Sequence, residues 1–210
     1  MSKGCFIVFE GIDGSGKTTQ AGLLAAALGG RGVRVVLTRE PGGTALGDGL
    51  RKLLLYSPGD IDPGAEALLY AAARAQLVAQ SIRPALAGGA VVISDRYADS
   101  TLAYQGAGRG LSGDFLERIN SFACRGLRPD LVLLLDLDPA LALSRLGRPA
   151  DRLEGEGEGF LRRVRQGYLE LAGRDPGRYL VLDATLPSDL LFSRVLTIVE
   201  RKLGILDSGF

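Results

Sequence analysis

Short apolar runs alternate with longer stretches of helical periodicity along the whole chain. The runs are rich in β-branched residues and predict five strands, at 5–10, 33–38, 90–95, 131–137 and 179–183. The longer stretches predict helices at 17–28, 44–55, 63–87, 112–124, 139–146, 159–172 and 188–203. Strands that alternate with helices favour a parallel sheet.

The runs at 90–93 and 131–135 are apolar throughout rather than alternating with polar residues. This pattern is typical of strands that helices cover on both faces. A length of 210 residues lies within the range of one domain. We therefore predict a single α/β domain over 1–210, with a five-stranded parallel sheet and helices on both of its faces.

Composition excludes several classes of chemistry. The chain has no histidine, which rules out Ser-His-Asp triads, Cys-His dyads and histidine-ligated zinc. Its net charge of +1 provides no overall attraction to nucleic acid or to an anionic membrane, and we expect neither as a partner. No signal peptide is apparent, and no apolar run approaches the ~18 residues of a membrane span, so a cytoplasmic location is expected. Cys5 and Cys124 are expected to be reduced packing residues.

Residues 11–18, GIDGSGKT, follow the first predicted strand and lead into the first predicted helix. They match the P-loop pattern, in which the glycines let backbone N–H groups point at phosphate oxygens and the helix adds its positive end. Lys17 should reach the β- and γ-phosphates, and Thr18 should help to hold Mg²⁺. The fold predicted is therefore that of the P-loop NTPases. The expected ATP-binding residues are Gly11, Ile12, Asp13, Gly14, Ser15, Gly16, Lys17, Thr18 and Thr19.

A P-loop alone does not separate kinases from GTPases, motor ATPases or regulatory switches. The chain lacks the Asn-Lys-x-Asp segment that reads guanine, which disfavours a GTPase. The third predicted strand ends at Asp95, and Arg96 follows it. This places a carboxylate near the metal and a guanidinium at the sheet edge where α/β folds bind ligands. A solvated ion pair at a strand end is the plainer alternative.

Phosphoryl transfer needs positioning and charge neutralisation more than a strong base, so arginines become the residues of interest. Candidates are Arg39, Arg96 and a group near a short predicted lid at about 145–160, namely Arg145, Arg148 and Arg152. Two glycine-rich stretches stand out, at 106–113 and 147–159, and the second is highly charged. A lid that closes over ATP would exclude water from the transferring group. An ordinary solvated loop is the alternative.

A possible base site lies in the middle of the chain. Tyr70 and Arg74 are four residues apart on one predicted helix, where they could stack on a base and hydrogen-bond its edge. From spacing alone, a half-buried tyrosine covered by an arginine is the commoner arrangement. Thr101, Tyr104 and Gln105 would lie together if the segment after Tyr97 begins with a helical turn, and they suit a pyrimidine and its sugar.

The chain closely resembles the bacterial thymidylate kinases, which are P-loop nucleoside monophosphate kinases, over nearly its whole length. The motifs that carry the resemblance are FEG at 9–11, TREPGG at 38–43, DRY at 95–97, AYQG at 103–106, RPDL at 128–131, DRLE at 151–154 and GYLEL at 167–171. The resemblance implies an ATP- and Mg²⁺-dependent kinase that converts dTMP to dTDP for dTTP synthesis. It also implies a homodimer, to which residues 65–79 would contribute. Two alternatives are another nucleotide or deoxynucleoside kinase of the same fold and a P-loop switch that hydrolyses nucleotide slowly.

The resemblance also implies roles for individual residues. Arg39, Arg51 and Arg96 would handle the dTMP phosphate and the transferring group. Asp13 and Glu40 would organise the sugar 3′-hydroxyl and the metal waters. Tyr70 would stack on the base, with Arg74, Thr101 and Gln105 at its edge, and Tyr104 would exclude a ribose 2′-hydroxyl. Thr18 and Asp95 would serve the metal, Asp95 directly or through water.

The chain departs from the family pattern at two positions. Tyr70 stands where family members usually carry phenylalanine. Gly14 stands where some members carry a basic residue and take a catalytic arginine from the P-loop. The lid would then supply that arginine, with Arg152 as first choice and Arg148 as second. The expected catalytic residues are Lys17, Asp13, Arg96, Arg152 and Arg148.

Overall fold

A computed structural model describes residues 4–146 and 152–205. The five predicted strands form one sheet: β1 (Cys5–Glu10), β2 (Val35–Arg39), β3 (Val91–Asp95), β4 (Leu131–Asp136) and β5 (Tyr179–Asp183). All neighbouring strands are parallel, in the order β2-β3-β1-β4-β5. The predicted α/β architecture is confirmed.

The helices between the strands have the following bounds: α1 (Lys17–Gly30), α2 (Ala45–Tyr56), α3 (Pro63–Leu77), α4 (Arg83–Ala87), α5 (Ala98–Thr101), α6 (Gly113–Cys124), α7 (Pro139–Arg145), α8 (Glu158–Arg174) and α9 (Ser188–Leu203). Two π-helical segments (Val78–Ile82 and Leu102–Gly108) and a 3₁₀ turn (Glu154–Glu156) complete the described elements. Within the two described ranges, no helix is long and apolar enough to cross a membrane.

Two helical regions differ from the sequence prediction. The helix predicted at 63–87 is α3 and α4 joined through the first π-helical segment. The second π-helical segment extends into the glycine-rich stretch at 106–113, where no helix was predicted. Tight packing on α8 explains Gly108, because a Cβ there would come within 2.6 Å of the Phe160 ring. The low helix propensity of glycine is here outweighed by packing against another helix.

Side chains of β1 alternate between two buried clusters, one on each face of the sheet. Ile7 and Phe9 belong to a cluster that includes residues of α1, α8 and α9. Phe6 and Val8 belong to a cluster with residues of α3, α4 and the first π-helical segment, and Cys124 is buried in it. Burial on both faces accounts for the continuously apolar strands.

The carboxyl ends of the central strands lie side by side. Phe9 of β1 pairs in register with Asp95 of β3, and Asp95 pairs with Arg39 of β2. The connections that follow these three strands therefore meet at one edge of the sheet. This edge is where open parallel sheets bind ligands.

Candidate functional site

The loop between β1 and α1 has the backbone conformation of a phosphate cradle. Gly14 and Gly16 adopt positive φ angles of +81° and +91°, which glycine tolerates at little cost. A Cβ at Gly14 would lie 2.4 Å from the carbonyl oxygen of Ala142 in α7. This close approach explains why the position has no side chain, and hence no basic residue.

Lys17 begins α1 and is only 5% exposed. Its ammonium group donates a hydrogen bond of 2.8 Å to the carbonyl oxygen of Ile12 in the same loop. Burial and the neighbouring Arg96 guanidinium lower the pKa of Lys17, while the carboxylates of Asp13 and Asp95 partly oppose that shift. The lysine is held at the loop mouth, within a strongly charged environment.

A cavity lies in front of this loop, which we call the phosphate cavity. Its walls include Asp13, Gly14, Gly16, Lys17, Thr18, Thr19, Arg39, Glu40, Arg51, Asp95, Arg96, Arg145 and Leu146. Three of the predicted ATP-binding residues, Gly11, Ile12 and Ser15, are instead buried behind the loop. Gly11 packs so closely on β4 that a Cβ would lie 2.5 Å from the Leu135 carbonyl oxygen. These three residues shape the cradle rather than line it.

The predicted metal residues Thr18 and Asp95 lie together at the end of β3. The Thr18 hydroxyl donates a hydrogen bond of 2.5 Å to Asp95 Oδ2. A hydroxyl and a carboxylate are the hard oxygen donors that Mg²⁺ prefers, so the pair fits that ion. Among the described residues there is no cluster of three or more histidine, cysteine, aspartate or glutamate side chains suited to a metal. Mg²⁺ at this pair would depend on further oxygens from phosphate and water.

Arg96 lies directly after β3 in a strained conformation, with a φ of 73°. Its guanidinium donates to Asp13 Oδ1 at 2.7 Å and to the hydroxyls of Tyr104 at 3.0 Å and Tyr168 at 3.1 Å. It also donates to the Gly11 carbonyl oxygen at 3.0 Å. A non-glycine residue with positive φ at a sheet edge is typical of a functional position.

Asp13 is held ionised by its neighbours. Burial by itself would raise the pKa of Asp13, but the Arg96 guanidinium and the Lys17 ammonium outweigh burial and hold that pKa well below its usual range. The Tyr104 hydroxyl donates to Asp13 Oδ2 at 3.0 Å and stabilises the same charge. The P-loop and the segment after β3 are thus joined by a charged network.

A second cavity opens beside the phosphate cavity, and we call it the acceptor cavity. Its empty volume is about 510 Å³, part of it open to solvent. It is lined by Asp13, Glu40, Pro41, Arg51, Leu55, Tyr70, Arg74, Arg96, Ser100, Thr101, Tyr104, Gln105 and Leu153. Every predicted substrate-binding residue except Arg39 lies on this wall, and Arg39 lines the phosphate cavity.

The two cavities are joined, because Asp13, Glu40, Arg51 and Arg96 line both of them. Arg51 donates to the Pro41 carbonyl oxygen at 3.1 Å, which ties α2 to the loop after β2. The junction therefore has two guanidinium groups and two carboxylates. The guanidinium groups of such a junction could stabilise a negatively charged group as it moves from one ligand to the other.

The Tyr70 and Arg74 pair differs from the commoner arrangement described above. Arg74 is 1% exposed, whereas Tyr70 is only partly buried and faces the acceptor cavity. The Arg74 guanidinium donates to Glu40 Oε2 at 2.7 Å, Asn120 Oδ1 at 2.7 Å and Thr101 Oγ1 at 3.1 Å. Arg74 therefore lines the cavity and also positions Glu40 and Thr101.

One carboxylate oxygen of Glu40 accepts no hydrogen bond from the described residues. Its Oε2 accepts from Arg74, but its buried Oε1 has no hydrogen-bond partner within the described part of the chain. Burial raises the pKa of Glu40, and Arg74 opposes that shift. An acceptor oxygen on the shared wall of the two cavities is available to a ligand hydroxyl or to a metal-bound water.

Glu10, the last residue of β1, has no role predicted from the sequence. Its Oε1 accepts from the Tyr97 amide at 2.9 Å, and its Oε2 accepts from Ser100 Oγ at 2.6 Å and Tyr168 Oη at 2.9 Å. Burial and the nearby Asp99 raise the pKa of Glu10 to about 7, although Arg96 partly opposes them. The sequence feature that could have indicated this role is the position of Glu10, a carboxylate at the end of an apolar strand that is buried almost throughout.

The described lid arginines lie in different places. Arg145 lines the phosphate cavity and donates to the Ala184 carbonyl oxygen at 2.9 Å. Arg152 donates to the Leu54 carbonyl oxygen at 2.9 Å and to the buried carboxylate of Glu66, on the acceptor side. Arg148 lies outside the described residues. The catalytic role predicted for Arg152 would therefore require its guanidinium to leave Glu66.

Comparisons with known proteins identify one family to which the chain is similar. A family model described as thymidylate kinase matches residues 9–195. The thymidylate kinase of Pelotomaculum thermopropionicum is 55% identical, over 99% of this chain and 98% of its own length. That of Deinococcus radiodurans is 52% identical, over 96% of this chain and 99% of its own length. A crystal structure of thymidylate kinase from Ehrlichia chaffeensis superposes with a TM-score of 0.80 at 34% identity, covering 93% of this chain and 98% of that one.

Proposed function

The chain belongs to the thymidylate kinase family, which phosphorylates dTMP to dTDP with ATP in nucleotide biosynthesis, and we propose that the two joined cavities carry out this reaction. The observation that supports the proposal is the shared wall of Asp13, Glu40, Arg51 and Arg96. A nucleoside triphosphate on the P-loop and a monophosphate in the acceptor cavity would meet at this wall. The transferring phosphoryl group would lie between them.

The donor site consists of the P-loop and Lys17. Backbone N–H groups of the loop and the positive end of α1 bind the ATP phosphates. Lys17 exchanges its contact with the Ile12 carbonyl oxygen for the phosphate oxygens, which are better acceptors because they are charged. Its charge then stabilises the negative charge that develops on the transferring group.

Thr18 and Asp95 would hold Mg²⁺, Asp95 directly or through water. Bound there, Mg²⁺ would neutralise charge on the β- and γ-phosphates. The hydrogen bond between the two side chains supports this role, since it keeps both oxygen donors at one point beside Lys17.

Transfer itself relies on the arginines. Arg39, Arg51 and Arg96 line the phosphate cavity, where an oxygen of the dTMP phosphate attacks the γ-phosphorus and the bond from that phosphorus to the bridging oxygen breaks, leaving ADP. Asp13 keeps Arg96 oriented through its hydrogen bond of 2.7 Å. A phosphate dianion is already a competent nucleophile, so no histidine or other strong base is needed. Arg152 and Arg148 are the proposed lid arginines, and Arg145 already lines the phosphate cavity.

The acceptor cavity would bind thymine and its sugar. Tyr70 stacks on the base, and Arg74, Thr101 and Gln105 hydrogen-bond to its edge. Asp13 and the free Oε1 of Glu40 accept from the 3′-hydroxyl, while Tyr104 occupies the space that a ribose 2′-hydroxyl would need. The position of these residues on one cavity wall supports the assignment.

We also propose a cytoplasmic homodimer. Residues 65–79 include Leu68, which is 53% exposed, and the adjacent α2 exposes Leu46 at 52% and Leu53 at 45%. Helices α2 and α3 pack against each other, so a second copy could cover these leucines together. Light scattering of the purified protein tests this proposal. A monomer at micromolar concentration would contradict it.

Turnover by the purified enzyme tests the assignment of the cavities to dTMP phosphorylation. Rates with ATP and Mg²⁺ are measured for dTMP, dUMP, dCMP, AMP and thymidine, and dTMP should have the highest kcat/KM. Another preferred acceptor would contradict the substrate assignment. ATP consumption that does not depend on dTMP would instead indicate a nucleotide-hydrolysing switch.

A further inference from the structure

Glu66 of α3 is a fully buried carboxylate with four donors around it. Its relative exposure is 0%, and it lies one layer behind the residues that line the acceptor cavity. Oε1 accepts from Gln105 Nε2 at 2.7 Å and from Arg109 Nε at 3.4 Å. Oε2 accepts from Arg109 Nη2 at 3.3 Å and from Arg152 Nη2. The residue has no part in the function described so far.

Two guanidinium groups donate to this carboxylate and hold it in one position. Arg109 is itself anchored by Glu156, at 2.6 Å, and Arg152 by the Leu54 carbonyl oxygen, at 2.9 Å. Both oxygens of Glu66 accept from nitrogen donors, so neither of them is available to donate. Whatever group of Gln105 faces Glu66 must therefore be a donor.

This requirement determines the orientation of the Gln105 amide. An amide has a donor end and an acceptor end, which ordinarily exchange by a simple rotation. Because Glu66 accepts only, the nitrogen of Gln105 points at Glu66, and the carbonyl oxygen is the end left for a ligand in the acceptor cavity. Rotation would place an oxygen against a carboxylate, in a buried site where that repulsion is strong.

The pyrimidine bases differ at the atom that such an oxygen would meet. Position 3 of thymine and uracil is an N–H donor, whereas position 3 of cytosine is a lone-pair acceptor. A carbonyl oxygen held toward the base accepts from the first and repels the second. This step rests on the proposed function, in which the base edge faces Gln105.

We propose that Glu66 is a positioning residue that makes the acceptor cavity selective for bases with a protonated N3, by fixing the amide of Gln105. Glu66 itself does not touch the substrate. It acts through Gln105, and Arg109, which donates to both of its oxygens, keeps it in place.

The test compares kcat/KM for dTMP and dCMP in the wild type and in Glu66→Gln. Glutamine at 66 offers either a donor or an acceptor, so the Gln105 amide becomes free to rotate. The ratio of kcat/KM for dTMP to kcat/KM for dCMP should then fall about tenfold or more. This is the effect expected when one hydrogen bond to the base no longer distinguishes a donor from an acceptor. Glu170→Gln is the matched control, since it makes the same change at a surface carboxylate that pairs with Arg174 on α8, and it should leave the ratio unchanged.

A purely structural role would lower both kcat/KM values together and leave their ratio unchanged, which would overturn the proposal. If Glu66→Gln does not fold, as judged by thermal unfolding, Glu66→Asp decides the question. That variant keeps the carboxylate but shortens the side chain by one methylene, which weakens its contact with Gln105, and the ratio should fall about threefold or more. An unchanged ratio in Glu66→Asp would also overturn the proposal. A wild type that does not prefer dTMP would instead contradict the proposed function, before Glu66 is tested.

Discussion

The Tyr104 hydroxyl donates a hydrogen bond of 3.0 Å to Asp13, which joins the acceptor cavity to the P-loop. Asp13 in turn accepts from Arg96 at 2.7 Å, and Arg96 also donates to Tyr104. The three side chains form a closed triangle, in which Asp13 and Arg96 lie on the shared wall of the two cavities and Tyr104 lines the acceptor cavity. A ligand that moves any one of them acts on the other two.

Tyr104→Phe opens this triangle and keeps the ring. Asp13 loses a donor, and hydrogen bonds to charged groups contribute about 1.5–3 kcal/mol, so kcat/KM for dTMP should fall about tenfold. Discrimination against the 2′-hydroxyl analogue should persist, because the ring still fills the space. Steady-state kinetics with both acceptors measure this. A loss of sugar discrimination without a loss in kcat would contradict the proposed role.

Lys17→Ala should reduce kcat by about a hundredfold or more, because the lysine charge acts mainly on the transition state. The fold should persist, since within the described ranges the Lys17 ammonium group donates to a single carbonyl oxygen, in the loop itself. Lys52→Ala, at an exposed position of α2, is the matched control and should leave kcat unchanged. Near-normal kcat in Lys17→Ala would refute its catalytic role.

Glu10 should make stability depend on pH. Its pKa is raised in the folded state, from an ordinary 4.5 to about 7, so the folded protein holds this proton more tightly than the unfolded chain. The stabilisation is complete below pH 4.5 and is lost as the pH rises to about 7, by on the order of 3 kcal/mol at most.

Glu10→Gln isolates that contribution. Glutamine can accept from the Tyr97 amide and donate to the Ser100 and Tyr168 hydroxyls. The free energy of unfolding of the variant, relative to wild type, should therefore rise between pH 4.5 and 7 and stay level above pH 7. Urea unfolding at several pH values measures it. A difference that does not vary with pH would show that Glu10 does not titrate in this range.

Arg74→Leu should destabilise the protein by about 3–5 kcal/mol, because it leaves the buried Glu40 carboxylate without its cationic partner. Arg74→Leu combined with Glu40→Gln removes that uncompensated charge and should recover part of the loss. Chemical denaturation of the three proteins measures both effects. Equal stability of the single and double variants would argue that the charge of Glu40 is not the cause.

The lid arginines are distinguished by separate alanine variants. Arg152→Ala should lower kcat with little change in dTMP affinity, as expected of a group that acts only in the transition state. If kcat is unchanged in Arg152→Ala but falls in Arg148→Ala or Arg145→Ala, the role belongs to that residue instead.

The sequence alone determined the sheet, the helices around it and the P-loop. Apolar runs and helical periodicity are local properties, and the glycines, lysine and threonine of a P-loop act at fixed spacing within one turn of chain. Tyr70, Thr101, Tyr104 and Gln105 could also be assigned to one site in advance, because the family motifs carry them together.

Only the tertiary structure decided which donors face which acceptors. Glu10 contacts Tyr168 across 158 positions of sequence, and Glu66 contacts Arg152 across 86. The burial of Arg74 likewise depends on Glu40 and Asn120, from other elements. No local pattern encodes such pairs, since burial strengthens a polar contact only after distant elements have packed and excluded water.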